Sequence, residues 1–238
     1  MNDLGTIVDF NLLRIIIATS MLFIATILDS KKREVHDLLW VIYGIIAIVL
    51  VFPELQNFEM LIQIGMSTGI VFPISLLLWR IGLFGGADAF ALIVLAGLVP
   101  FTTLSESQVT PLTTLLNASL LSVIIFPINA ARNLYALLTR QNIFEGFEES
   151  KHRKIMACFI GTKQNNPHYS FSIQKDVGHA KKFDFTLSHA ENTEFCKSCH
   201  TWVTPGIPFL LYITLGFMIQ IFFGDVFFST IKNVLNLG

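Results

Sequence analysis

Two aspartates, Asp29 and Asp88, stand where apolar segments of the chain meet polar residues. An aspartate near the hydrocarbon of a membrane is costly unless it faces protein or water, so each is a candidate for function. Two carboxylates that share a site hold one proton between them, because their charges repel. The ionised carboxylate can activate a water molecule for attack on a peptide carbonyl, and the protonated one can supply the proton that the leaving amine needs. The pair has the chemistry of an aspartic endopeptidase, and either member can be the acid or the base.

Three small residues, Gly85, Gly86 and Ala87, come directly before the second aspartate, in the stretch LFGGADAF. Glycine lacks a Cβ, so it allows close approach of another backbone and permits positive φ. A peptide bond within a helix is shielded by its own hydrogen bonds, and a protease must bind that segment unwound. We therefore predict that these three residues form a substrate-binding loop beside the catalytic Asp29 and Asp88.

Each of these features also has a simpler interpretation. A Gly-Gly pair before a helix commonly forms an ordinary turn, and Asp88 could be the N-cap of the helix that follows. Asp29 could be a solvated residue at a helix end, beside Lys31 and Lys32. The peptidase interpretation depends on both aspartates lying at one face of the membrane.

The composition predicts an all-α membrane protein. The 238 residues are 53% hydrophobic and 14% charged, with a mean hydropathy of +0.63, whereas soluble domains are about 25% charged. Apolar segments able to cross roughly 30 Å of hydrocarbon recur along the chain. We predict six transmembrane helices, at about Phe10–Leu28, Leu38–Val51, Met60–Leu78, Ala87–Val99, Leu112–Ile128 and Ile207–Phe223.

The basic residues predict the orientation of these helices. Lys31, Lys32 and Arg33 lie in the first connection and Arg80 in the third, and ten of the sixteen Lys and Arg residues lie in positions 132–205. The second and fourth connections have none. Because basic loops stay on the cytoplasmic side, we predict a multi-pass protein of the cell membrane with both termini outside. Both aspartates then lie at the cytoplasmic boundary.

A polar insert separates the fifth and sixth predicted helices. Apolar residues alternate with polar ones at positions 168–173 and 181–187, with a glycine turn between them, which predicts a small antiparallel sheet. The predicted organisation is residues 1–139 with helices 1–5 and both aspartates, a cytoplasmic insert at 140–205, and 206–238 with helix 6 and an amphipathic tail.

The insert also contains residues that can ligate zinc. Cys196-Lys-Ser-Cys199-His200, together with Cys158 and His189, could supply a Cys/His site. A single CxxC lacks its paired partner, so reduced cysteines are the favoured interpretation. We predict no metal site and no cofactor. The sequence has no phosphate loop, dinucleotide fingerprint or basic-aromatic surface, so no nucleic-acid partner is predicted, and the oligomeric state stays open.

Several motifs resemble those of a known family. Asp29 is followed by Val35-His36-Asp37, residues 85–88 read GGAD, and Trp202 to Leu210 read WVTPGIPFL. In these features the chain resembles the GxGD-type membrane aspartyl proteases of the type IV prepilin peptidase-like group, and within it the archaeal preflagellin (prearchaellin) peptidases. The resemblance covers nearly the whole chain.

Two positions depart from the family pattern. Ala87 stands where the family name implies glycine, and His36 stands where many relatives have proline. The connection between the first two predicted helices also lacks the CxxC…CxxC insertion of the bacterial prepilin peptidases, so the resemblance does not imply N-methylation.

The resemblance implies a substrate class and partners. The substrates would be preflagellin or pilin-like precursors in the lipid membrane, cut at its cytoplasmic boundary between a short basic leader and the hydrophobic helix that follows it. Glu145, Glu148 and Glu149 could steer such a leader, or could form a solvated surface. Two other functions stay open: a small membrane transporter that uses the aspartates as relay sites, and a non-catalytic membrane adaptor.

Overall fold

The computed structural model describes residues 3–100, 110–177, 180–186 and 193–224. The chain forms two compact units. The first comprises Met1–Ser122 with Pro208–Gly238, and the second comprises Val123–Ile207. The predicted fifth helix, Leu112–Ile128, is divided between the two units, because its residues from Val123 onward belong to the second unit.

Helices make up the described part of the first unit, with a short 3-10 turn at Phe52–Glu54. Their outward faces carry many exposed large apolar side chains, as lipid contact requires. The helices are α1 (Asp3–Lys32), α2 (Asp37–Val49), α3 (Phe58–Arg80), α4 (Gly86–Leu98), α5 (Thr110–Ser122) and α8 (Phe209–Phe223).

Four segments among the described residues are long and apolar enough to cross a membrane, which makes the chain a membrane protein. They are Phe10–Lys32, Asp37–Glu54, Phe58–Arg80 and Thr110–Leu138. The helices α4 and α8 are apolar but have 13 and 15 residues. At 1.5 Å per residue they are about 20 and 22 Å long, against a hydrocarbon thickness of about 30 Å. Six spans therefore stay a prediction.

The helix α4 is the centre of the first unit, since it packs against α1, α2, α3, α5 and α8. It is buried around most of its circumference, which a strongly apolar helix surrounded by other helices requires. The hydrophobic core joins Leu92 and Leu95 of α4 to Met21 and Leu22 of α1 and to Phe217 of α8.

The second unit combines two helices with two antiparallel sheets. One sheet has the strand order β1-β5-β2, and the other is the hairpin β3-β4. The fully buried Trp202 anchors its core, and the indole Nε1 donates to the Ile143 carbonyl at 2.8 Å. The elements are α6 (Ile125–Leu138), α7 (Lys151–Ile160), β1 (Thr162–Gln164), β2 (Ser170–Ser172), β3 (Gln174–Val177), β4 (Ala180–Phe183) and β5 (Thr201–Pro205).

The antiparallel β structure expected in the insert is present, with different strand partners. The first alternating stretch contains β2, which pairs with β5 at Ser172–Val203 and not with the second stretch. The hairpin strand that precedes the turn is β3. The sequence Trp202 to Leu210 begins within the central, largely buried strand β5 and ends in the first residues of α8.

Two buried asparagines on α6 complete the C-terminal end of α7. Asn129 donates to the carbonyls of Phe159 and Ile160, and Asn133 donates to those of Cys158 and Gly161. The last carbonyls of a helix have no partner within the helix. The side-chain amides satisfy them and thereby fix α7 against α6.

Candidate active site

The residues before Asp88 form a compact connection between α3 and α4. The helix α3 ends at Arg80 with Ile81 as its C-cap, and the next residue, Gly82, has a φ of +78°, a value that favours glycine. The Gly82 N–H donates to the Trp79 carbonyl, and the Leu83 N–H donates to the Leu78 carbonyl, both at 3.0 Å. This pattern is a Schellman motif. It turns the chain so that α4 begins only a few residues after α3 ends.

Asp88 lies at the third position of α4 and is 9% exposed. Its Oδ2 accepts a hydrogen bond of 3.0 Å from the Gly85 N–H, one of the donors that a helix N-terminus leaves without a helical partner. The positive end of the helix dipole also favours a carboxylate at this position. Asp88 therefore stabilises the start of α4, from N3 and not as the N-cap.

Neither glycine of the Gly85–Gly86 pair has a positive φ. Gly85 is the N-cap of α4 with a φ of −76° and a ψ of 159°, and Gly86 begins the helix. A Cβ on Gly85 would lie 3.4 Å from Asp88 Oδ2, which is ordinary contact. The left-handed glycine of this connection is Gly82. The role of Gly85, Gly86 and Ala87 as a substrate-binding loop stays a prediction.

Asp29 lies in the last turn of α1 and is half-buried. The helix ends just beyond it, where Arg33 takes a φ of +56° and donates its N–H to the Asp29 carbonyl at 2.8 Å. The chain then extends to His36, whose Nδ1 accepts from the Leu38 N–H and caps α2. The imidazole at this position is thus an N-cap.

The beginning of α8 brings the two aspartate-bearing segments together. Thr26, three residues before Asp29, donates its hydroxyl to the Leu210 carbonyl at 3.1 Å. Phe84, four residues before Asp88, packs against Phe209 with 5.0 Å between the centroids of the tilted rings. Because Phe209 and Leu210 are consecutive, a single point of α8 contacts the segments that carry both candidate residues.

A contact at the far end of the helices agrees with this arrangement. Arg14, near the beginning of α1, donates to the carbonyl of Leu98, the last residue of α4, at 3.2 Å. The packed helices α1 and α4 therefore run in opposite directions. At 1.5 Å per residue, Asp29 lies about 22 Å from this contact toward the C-terminus of α1. Asp88 lies about 15 Å from it toward the N-terminus of α4. Both aspartates lie toward the same end of the first unit.

Sequence reasoning missed the residues that make these contacts. Arg14 stands in the sequence as a cation within an apolar segment, and its burial between helix ends is a tertiary feature. Because charged residues are rare within membrane segments, a cation there itself indicates a buried partner. Thr26 and Phe84 carry no comparable signal, because isolated threonines and phenylalanines are common in membrane helices.

The cysteines show no metal arrangement within the described part of the chain. Cys158, Cys196 and Cys199 are free thiols, and no group of three or more metal-ligating side chains lies among the described residues. His189, which the zinc interpretation includes, falls outside those residues.

One member of the acidic cluster has a structural role. Glu149 forms a 2.9 Å ion pair with Arg153 and accepts from the Phe183 N–H at 2.9 Å. Glu145 and Glu148 are exposed. Any steering of a basic leader by this cluster therefore depends on Glu145 and Glu148, with Glu149 committed to the fold.

Comparison with protein families gives two adjoining matches. Residues 16–127 match the type IV leader peptidase family, and residues 131–226 match the archaeal peptidase A24 C-terminus, type II. The first match contains both aspartates, and the second contains most of the second unit and α8.

Individual relatives agree with these matches over most of the chain. The preflagellin peptidase of Methanocaldococcus jannaschii is 25% identical over 95% of this chain and 100% of its own length. Those of Methanococcus maripaludis and Methanococcus voltae are 27% and 26% identical, each over 88% of this chain and 94% of the relative.

Proposed function

Because the chain belongs to the type IV leader peptidase family, we propose that it removes the leader peptide from preflagellin or pilin-like precursors. Membership makes the chain a peptidase, and the relatives, which are preflagellin peptidases, carry the substrate class. The similarity extends through both family matches, so the catalytic and C-terminal parts of such an enzyme are both represented here.

The catalytic pair in this proposal is Asp29 and Asp88. The observation that supports it is the contact of both aspartate-bearing segments with Phe209 and Leu210 at the beginning of α8. Each aspartate also lies at a helix end, Asp29 in the last turn of α1 and Asp88 in the first turn of α4. Helix ends are where an extended peptide can approach without crossing an intact helix.

The proposed reaction is acid–base hydrolysis by the two carboxylates. One carboxylate removes a proton from water, the resulting hydroxide attacks the scissile carbonyl, and the protonated partner donates to the leaving amine. The Gly85 N–H holds Asp88 Oδ2 and thereby fixes the orientation of that side chain. The chemistry uses no metal or organic cofactor, so a chelator should leave cleavage unchanged.

We also propose that cleavage occurs at the cytoplasmic boundary, with six spans and both termini outside. The support is the distribution of charge: Lys31, Lys32 and Arg33 follow Asp29, and Arg80 precedes Asp88. Basic residues next to membrane helices favour the cytoplasmic side. In this arrangement a cytoplasmic insert follows the fifth helix.

Leader removal tests the function directly. The full chain in membranes is incubated with a preflagellin-type precursor, and the product is identified by mass and N-terminal sequence. We expect one cut, immediately before the hydrophobic helix of the precursor. A precursor that stays intact beside a folded chain would contradict the proposal.

A further inference from the structure

A second site, separate from the aspartates, lies within the second unit. Its cavity has a volume of about 650 Å³ and is lined by α6, the segment after it, β1 and the turn before β5. This is the size range of small-molecule binding sites. Three basic residues contribute to the lining, Arg132, Lys163 and His200, and no aspartate or glutamate among the described residues does.

The charge in this cavity is not neutralised by neighbouring carboxylates. Within the described residues, Arg132, Lys163 and His200 form no ion pair with an acidic side chain. The Lys163 Nζ contacts the Asn142 carbonyl at 3.5 Å, which holds the ammonium at the cavity wall. Gln164 and Asn165 add amide groups that can donate hydrogen bonds. Such a set of donors fits a phosphate group, which guanidinium and ammonium groups bind well.

The sequence before the cavity indicates the source of that phosphate. The 22 residues from Thr110 to Ala131 contain no charge, and they belong to the candidate membrane span Thr110–Leu138. Arg132 is the first charged residue after this run and is exposed. A basic residue that directly follows an uncharged apolar run is typical of the membrane–water interface, where lipid phosphates lie.

The exposed residues around Arg132 are also typical of the membrane–water interface. Tyr135 lines the cavity and is 69% exposed, and Leu134 and Leu138 are 58% and 74% exposed. Tyrosine is enriched at the membrane–water interface, where its ring meets acyl chains and its hydroxyl meets headgroups. We infer that the cavity lined by Arg132, Lys163 and His200 binds the phosphate of an anionic membrane lipid. This site does not depend on the proposed peptidase function.

Native mass spectrometry of the full chain in detergent tests the site. The probes are phosphatidylglycerol and phosphatidylcholine with equal acyl chains, titrated into wild type and an Arg132→Gln/Lys163→Gln double variant. We expect wild type to prefer phosphatidylglycerol and the double variant to bind it roughly 25-fold more weakly, because each surface cation contributes about fivefold to anionic lipid binding. Lys182→Gln, which removes an exposed charge outside the cavity, is the matched control and should keep the preference.

Inorganic phosphate separates the two sources of the anion. Competition by phosphate against phosphatidylglycerol in wild type, but not in the double variant, would support recognition of the headgroup phosphate. Equal binding of phosphatidylglycerol by wild type and a folded double variant would overturn the inference. Phosphate binding that needs Arg132 and Lys163, without any preference for the anionic lipid, would also overturn it and assign the cavity to a soluble anion.

Discussion

The hydroxyl of Thr26 donates a hydrogen bond to the carbonyl of Leu210 at 3.1 Å and so joins α1 to the beginning of α8, one turn before Asp29. The same hydroxyl lies 2.6 Å from that of Thr214. Hydrogen bonds between membrane helices fix their positions because few other polar groups are available there. The position of Asp29 relative to α8 therefore depends on this contact.

Thr26→Val removes that hydroxyl while keeping the shape of the side chain. We expect kcat for leader cleavage to fall several-fold with KM little changed, because Thr26 positions Asp29 and contributes no group to the reaction. Thr26→Ser keeps the hydroxyl and is the control. The measurement is steady-state cleavage of a preflagellin-type precursor. Equal kcat for the valine and serine variants would show that the Thr26 hydroxyl does not position Asp29.

Arg14 joins three helices at the other end of the first unit. Its guanidinium donates to the carbonyls of Leu50 and Leu98, at 2.6 and 3.2 Å, where α2 and α4 end. Arg14→Met should lower the stability of the protein by about 2 kcal/mol, because two buried carbonyls lose their charged donor. Arg80→Met, at an exposed helix end, should change it little. Thermal unfolding in detergent compares them, and an Arg14→Met protein as stable as wild type would contradict the prediction.

Gly216 allows α5 and α8 to approach closely. A Cβ there would lie 2.5 Å from the Thr114 carbonyl oxygen and 2.8 Å from the Ala118 nitrogen, both backbone atoms. Gly216→Ala should therefore destabilise the first unit by about 1–3 kcal/mol. The control is Gly44→Ala, since nothing lies within 4 Å of its added Cβ and alanine favours helix. Apparent melting temperatures should move in opposite directions, and a stable Gly216→Ala protein would argue against this close approach.

The thiol of Cys158 should react slowly at neutral pH. Burial in α7 raises the pKa of this thiol, so less of it is thiolate at a given pH. Alkylation by iodoacetamide at pH 7.5 should be slower at Cys158 than at the exposed Cys199, and should accelerate only as the pH rises beyond the usual thiol range. Mass spectrometry of each cysteine between pH 7 and 10 measures this. Equal rates at pH 7.5 would show that Cys158 is not buried in solution.

The local features of the site could be predicted from the sequence. The predicted helix Ala87–Val99 differs by only one residue at each end from α4, Gly86–Leu98, because a glycine pair and Pro100 bound an apolar run whose single charged residue is Asp88. The simpler interpretation, that Asp88 caps a helix, is close to what is observed: its side chain accepts from the Gly85 N–H at the start of α4. Helix ends are set by nearby residues, so these features depend little on the rest of the fold.

Tertiary features could not be predicted in the same way. The helix expected at Leu112–Ile128 is instead divided between α5 and α6, and Pro127 lies in the first turn of α6, where its missing N–H costs nothing. The positive φ that glycine permits occurs in this connection at Gly82, where the Schellman motif requires it, and not at the Gly85–Gly86 pair. The pairing of β2 with β5 joins Ser172 to Val203, which lie far apart in the sequence. Periodicity alone does not show such partners.

The roles of Asp88 in folding and in catalysis can be separated. Asp88→Asn keeps an oxygen that can accept from the Gly85 N–H, so the start of α4 should be preserved. Asp88→Ala removes both the charge and the hydrogen bond, and should lower stability by about 1 kcal/mol more than the asparagine variant. Thermal unfolding of the two variants measures the difference. Equal stability would mean that the capping contact contributes nothing.

The most direct test of the two-aspartate mechanism is leader cleavage in membranes by wild type, Asp29→Asn and Asp88→Asn at matched expression. An amide cannot exchange the proton that hydrolysis needs, so we predict that each variant loses processing by several orders of magnitude while its thermal unfolding stays close to that of wild type. Full cleavage by either folded variant would contradict the dyad and leave Asp88 as the cap of α4 alone.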